Sequence, residues 1–243
     1  FISSNGAMAT PDKVIPVINA GLDSIKFSIN AATRKTYKLI HQKDDWTKVI
    51  ENLNFIKKYI LKNKINLKLY ASYVVMRQNI HEKKVFLKKF ENIFDEILFH
   101  NCDTQGGQMN EAQKILSVDN DFSLKTPKPQ SNVCTMPFNR FHISAEGYLT
   151  MCCVDYHNYL AISDLNNISL EKAWYSSTFE KMRKKHLNSE LSGTLCGNCW
   201  YNRNDKIKPL KNKFAHKIDY EKFYESQKKY VNKKVQKFTP KNE

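Results

Sequence analysis

The stretch "CTMPFNRFHISAEGYLTMCC", Cys134 to Cys153, and the shorter "LCGNCWYN", Leu195 to Asn202, hold five of the six cysteines in the chain. Two alternating runs, "FNRFHIS" and "YLTMCC", flank an Ala-Glu-Gly turn, the pattern of a β-hairpin. Folding that hairpin back at Gly147 brings Cys134, just before it, near Cys152 at its far end. Successive strand residues point to opposite faces, so only one of Cys152 and Cys153 can join Cys134, and a regular strand favours Cys152. Downstream, Cys196 and Cys199 form a Cys-x-x-Cys pair that grips a metal from one tight turn. The candidate metal ligands are therefore Cys134, Cys152, Cys196 and Cys199. Structural zinc sites are commonly built from two knuckles, whereas here one knuckle meets two isolated cysteines. A four-cysteine iron–sulfur cluster fits the same ligand set. Residue chemistry leaves both open.

Upstream, the pattern is an alternation of strands and helices. "DSIKFSI", "INLKLYASYVVM" and "FDEILFH" read as strands. "PDKVIPVINAG" reads as a short helix distorted by Pro16, "HEKKVFLKKFENI" as another, and "DDWTKVIENLNFIKKYILKN" as the longest. In the last, Trp46, Val49, Ile50, Leu53, Ile56 and Ile60 fall on one stripe behind an Asp cap. Such alternation means βαβ units and a parallel sheet, hence an α/β fold. The chain opens on "FISSNG", an apolar strand-like dipeptide and an Asn5-Gly6 turn, without Met, and so reads as a fragment whose first strands lie upstream. Residues 1–100 are assigned to this α/β part and 101–130, with "TQGGQ" and "KTPKPQ", to a linker. Residues 131–202 form a small α+β domain, in which "SLEKAWYSSTFEKMRKKHL" is one amphipathic helix capped by Ser169. The remainder, 203–243, is a Lys-rich tail with one more helix, "DYEKFYESQKKYVNKKV".

Charge and composition narrow the functional classes. The formal net charge is +15, and Lys outnumbers Arg 34 to 5. Readers of nucleic-acid grooves lean on the planar Arg fork, and residues 203–243 alone carry 13 basic and 5 acidic side chains. The excess is thus largely a solvated Lys-rich tail, and nucleic acid is not the expected partner. No apolar run is long enough to span a bilayer and no leader opens the chain, so the expected setting is cytoplasmic, without a membrane. There a disulfide framework is not expected.

With these residues in view, the segment from "CTMPFNRF" through "ISDLNNISLEKAW" to "CGNC" resembles the SPASM/Twitch auxiliary-cluster domain of radical SAM enzymes. The run from Cys134 through Gly147 to Cys152 matches that family's Cys-x12-Gly-x4-Cys form. Four placed cysteines suit the Twitch version, with one auxiliary [4Fe-4S] cluster. The first hundred residues are similar to the second part of a radical SAM barrel, "SSNG" and "FSINA" standing at its strand ends. The resemblance implies the C-terminal part of a partial (β/α) barrel followed by the cluster domain. It also implies S-adenosyl-L-methionine (SAM) and a second [4Fe-4S] cluster in the full-length enzyme, because these 243 residues lack the family's Cys-x3-Cys-x2-Cys loop.

By the same resemblance, Ser28, Asn5 and Asn30 are candidate SAM contacts. His41 stands where relatives often have Arg. Cys153 follows a ligand at the position of a proton-accepting Asp in sulfatase-maturing relatives, which makes it the candidate catalytic residue. Asp155 is expected to cap or orient the cluster loop, and Trp174, Phe179 and Trp200 to pack around the cluster. The implied activity is an oxidoreductase or maturase acting through a SAM-derived radical on a peptide or sugar-like substrate, with flavodoxin or ferredoxin as electron donor. The competing expectation is a zinc-stabilised binding module whose basic tail engages nucleic acid or another polyanion.

Overall fold

The computed structural model describes residues 1–102, 116–118, 134–155 and 157–200. They fall into two units, residues 1–102 with 116–118 and residues 134–200. The expected linker and the tail helix lie almost wholly outside the described residues.

The first unit is a four-stranded parallel sheet in sequential order: β1 (Ile2–Ser4), β2 (Ser24–Ser28), β3 (Lys68–Val75) and β4 (Glu96–Asn101). The connecting helices are α1 (Pro11–Asn19), α2 (Arg34–His41), α3 (Trp46–Asn63) and α4 (Lys83–Phe90). One row of strand side chains is apolar because it meets the helices: Ile25, Phe27, Leu69, Ala71 and Tyr73 are buried with Val49, Leu53 and Ile56 of α3 and with Phe86 and Phe90 of α4. Rings extend this core, with Phe86 4.7 Å from both Tyr73 and Phe90. Burying each such side chain contributes about 1.5–3 kcal/mol. The opposite row is polar. Register places Lys26 beside Tyr70 and Ser28 beside Ser72, so that one face of the sheet belongs to the core and the other offers hydroxyls and an amine.

Some local expectations need correction. Helix α2 carries too few apolar residues to show in periodicity. It forms because Thr33 accepts from the Thr36 N–H, and because the buried Glu82 carboxylate accepts from the N–H groups of Ala32 (2.6 Å) and Thr33 (3.2 Å) and from the hydroxyls of Thr33 and Thr36. These donors hold Glu82 below the usual carboxylate range, although burial, the largest influence, pushes the other way. Asp45 precedes α3 but makes no side-chain cap and sits 3.8 Å from Lys48 instead. Helix α1 does contain Pro16, and continues past it to Asn19.

In the second unit α5 (Met136–Asn139) leads into an antiparallel sheet of β5 (His142–Ile143), β6 (Tyr148–Thr150) and β7 (Ser163–Asp164). The expected single helix is two: α6 (Leu170–Trp174) and α7 (Ser177–Leu187). Ser176 is extended, with φ −65° and ψ 148°, and its hydroxyl accepts from the Phe179 N–H, so it caps a new helix. Ser169 caps α6 in the same way. The last element is α8 (Leu195–Trp200). Leu149, Met151, Tyr159, Leu160, Ala173, Phe179, Met182 and Leu195 form a separate small core.

Candidate metal centre

The hairpin turns where the sequence places it. Gly147 has φ +85°, and a Cβ there would lie 2.8 Å from the Asn166 amide nitrogen. Only glycine meets both demands. The Ser144 N–H donates to the Tyr148 carbonyl at 2.9 Å, and the pairs His142–Thr150 and Ile143–Leu149 close the register. Beyond β6 the chain bends at Cys152, whose carbonyl accepts from the Asp155 N–H. Asp155 is buried, and its two oxygens accept from the Tyr159 and Leu160 N–H groups, each at 2.8 Å. Burial pushes that carboxyl up to about 7, against the pull of the two donors. Asp155 therefore organises the loop that follows Cys152.

The Cys-x-x-Cys pair sits on α8. The Thr194 hydroxyl donates to the Leu191 carbonyl at 2.6 Å and accepts from the Gly197 N–H at 3.1 Å, which seats the helix start on the preceding loop. Gly197 is essential to that seat: a Cβ would come within 2.0 Å of the Leu191 carbonyl oxygen. Between Cys196 and Cys199, glycine is thus required by contact with the neighbouring backbone.

Cys134, Cys152, Cys196 and Cys199 line one cavity of about 40 Å³, together with Leu191, Leu195 and His186. Cys153 is exposed and does not line it, and Cys102 lies in the other unit. Burial pushes the Cys152 thiol up to about 12. Cys196 is raised well above the ordinary thiol range, first by burial and then by the proximity of Cys152, Cys199, Cys134 and Asp155. Two buried thiols that resist becoming thiolates, Cys152 and Cys196, need a positive centre to ionise together.

The spacing of the thiols bears on what that centre is. Around a single zinc, with bonds of about 2.3 Å, tetrahedral geometry sets ligand sulfurs roughly 3.8 Å apart. Among the described residues no three His, Cys, Asp or Glu side chains converge to hold a single metal ion. Four thiols that line one cavity are a donor set that an iron–sulfur cluster could take. The donor set, all sulfur and walled by leucines, has the same chemistry.

The aromatic side chains are arranged differently from expectation. Trp174 and Phe179 meet edge to face at 5.1 Å and hold the Arg183 guanidinium between them, its carbon 4.1 Å and 3.8 Å from the two ring centroids. Neither lines the cavity, and the Trp200 side chain lies outside the described residues. The buried residue that the sequence reading missed is His186, 1% exposed, on the same face of α7 as Phe179 and Met182. Its place three and four residues along that apolar stripe was the available signal.

In the first unit Ser28 ends β2, half-buried on the polar face of the sheet. Asn30 is committed to the frame. Its φ is +58°, its side-chain oxygen accepts from the Val74 N–H at 2.8 Å, and its carbonyl accepts from the Asn79 amide at 2.9 Å. Asn5 closes its own turn, accepting from the Ala7 N–H. His41 bonds through Nε2 to the Ile29 carbonyl at 2.6 Å and stacks on Tyr37. No helix among the described residues is long and apolar enough to cross a membrane.

One comparison with known proteins falls on the same segment. Residues 134–200 match the SPASM iron-sulfur cluster-binding domain. A search of curated proteins returned no match. Among solved structures, anSMEcpe with bound AdoMet aligns at 10% identity over 98% of this chain and 72% of its own, with a TM-score of 0.49. anSMEcpe with bound AdoMet and the Cp18Cys peptide aligns at the same identity and TM-score, over 98% and 76%. BtrN in complex with AdoMet and 2-DOIA aligns at 12% identity over 86% and 83%, with a TM-score of 0.34. The resemblance read from the cysteine-bearing segment is borne out by the match of residues 134–200 to the SPASM domain.

Proposed function

We propose that this chain, carrying a SPASM iron-sulfur cluster-binding domain at residues 134–200, serves a radical SAM/SPASM-type enzyme and holds that enzyme's auxiliary [4Fe-4S] cluster through Cys134, Cys152, Cys196 and Cys199. The observation that carries the assignment is the shared cavity, which these four thiols line, within the segment that matches an iron-sulfur cluster-binding domain. When bound, such a cluster supplies one-electron chemistry close to the substrate. The chain's own residues do the rest. The hairpin and Asp155 hold Cys152 in place, Thr194 and Gly197 seat the Cys196–Cys199 pair, and Leu191 and Leu195 keep water from the site.

The radical-forming cluster requires a Cys-x3-Cys-x2-Cys loop that these 243 residues do not contain. The part assigned here is therefore the auxiliary site. On the resemblance of the cysteine-bearing segment we assign a peptide or a sugar-like small molecule as the substrate class. A flavodoxin or ferredoxin is the matching electron donor, and Cys153, exposed beside Cys152, is the candidate for proton transfer.

The test is the iron, sulfide and zinc content of the protein after anaerobic reconstitution, alongside the Cys196→Ala/Cys199→Ala variant. Roughly four irons and four sulfides per chain, lost in the variant, is the expected result. One zinc per chain without sulfide overturns it and favours a zinc-stabilised binding module.

A further inference from the structure

His186 poses a problem that the described residues do not solve. It is 1% exposed, both ring nitrogens are buried, and neither has a hydrogen-bond partner among the described residues. An unpaired buried donor or acceptor costs about 1–3 kcal/mol. The neighbours offer no remedy, since Phe179 and Met182 share its helix face, and Leu191 and Leu195 share its cavity. The remaining wall is made of Cys134, Cys152, Cys196 and Cys199. None of those sulfurs lies close enough to pair with the ring. Whatever fills the cavity must therefore bring the missing acceptor.

We propose that His186 is a positioning residue for the metal centre, donating one ring N–H to a sulfur of the bound cluster. The inference rests on the iron–sulfur assignment above. A neutral imidazole carries one N–H donor and one acceptor nitrogen, and the inorganic sulfides and thiolate sulfurs of a cluster are electron-rich acceptors whose charge grows on reduction. A donor aimed at them favours the reduced state and raises the reduction potential, one of the recognised controls on iron–sulfur centres. Its placement on α7 gives the interaction rigidity. Ser176 caps the start of that helix, and Arg183 fastens it through the Pro137 and Trp174 carbonyls, at 2.9 Å and 2.8 Å.

The experiment compares the reconstituted wild type with His186→Gln and His186→Leu, first for iron and sulfide content and then by potentiometric titration of the reduced-cluster signal. A hydrogen bond to a charged acceptor predicts that His186→Leu lowers the reduced-to-oxidised ratio at fixed ambient potential by about tenfold. His186→Gln, which keeps a donor, restores most of that ratio. In wild type grown with nitrogen-15 histidine, pulsed electron paramagnetic resonance should show a weak histidine-nitrogen coupling that His186→Gln lacks. If His186→Leu does not assemble a cluster, the histidine-nitrogen coupling in the wild type and its loss in His186→Gln decide. Equal potentials with no histidine coupling, in proteins that hold iron and sulfide, overturn the proposal and leave the cluster assignment standing. Zinc without sulfide in the wild type overturns the cluster assignment itself, and this inference with it.

Discussion

Arg183 reaches from helix α7 to Pro137, donating from Nε to its carbonyl at 2.9 Å, and so ties the helix to the segment that begins at Cys134. The guanidinium also donates from Nη1 to the Trp174 carbonyl and lies between two aromatic faces. A planar fork is needed for all of this, and an ammonium cannot replace it. Arg183→Lys is expected to cost about 2 kcal/mol and to reduce iron retention during gel filtration. Unchanged melting and iron content would show that the tie is dispensable.

Gly197→Ala is the sharpest steric test. The added methyl would meet the Leu191 carbonyl oxygen at 2.0 Å, and backbone cannot swing aside as a flexible side chain can. Loss of roughly 3 kcal/mol is expected, with little or no iron bound after reconstitution. Gly21→Ala is the control for lost glycine, because nothing lies within 4 Å of a Cβ there; the strain of its φ of +90° acts on the first unit and should leave iron content intact.

The cysteines divide cleanly. Cys134→Ala, Cys152→Ala and Cys199→Ala should each abolish the roughly four-iron content expected of a cubane, whereas Cys102→Ala and Cys153→Ala should keep it. Chelating the metal should lower the melting temperature of the second unit, because binding free energy is then withdrawn from folding. Iron lost from Cys153→Ala but kept in Cys152→Ala would reverse the ligand assignment within the pair.

Glu82 sets an acid limit on the first unit. Its folded pKa is depressed below the ordinary 4.5, so its contribution is fully present above that value and disappears as pH falls through the folded pKa. Glu82→Gln should cost about 2 kcal/mol at pH 7, and the difference from wild type should shrink as the pH is lowered below 4.5. A difference constant from pH 7 to pH 3 would show that the carboxylate charge is not what anchors α2.

The metal-binding segment was legible because its chemistry is local. Cys-x-x-Cys and a Gly-centred hairpin carry their geometry within a few residues, and the matched segment, 134–200, coincides with them. The long helix α3 showed through its stripe of Trp46, Val49, Leu53 and Ile56. Helix α2 did not, because its stability comes from Glu82, nearly fifty residues away, and periodicity cannot register a distant cap. The break at Tyr175–Ser176 was hidden by a continuous amphipathic pattern, in which a Ser capable of capping looks like a Ser on a solvated face. Asn30, a candidate ligand contact at a strand end, also has a structural role that the sequence does not show. Its bonds to Val74 and Asn79 are long-range backbone satisfaction, which no short motif announces. His186 had a visible position, but its lack of partners could be seen only after folding.

The apolar wall around the four thiols also has a consequence in time. A ribosome delivers Cys134 and Cys152 well before Cys196 and Cys199, and a newly made chain must wait for its metal. Oxidation and disulfide exchange proceed through the thiolate. A thiol held near 12, as Cys152 is, is almost never in that form at neutral pH. The burial that makes Cys152 and Cys196 costly to ionise therefore keeps these two thiols chemically quiet in a chain still awaiting its metal.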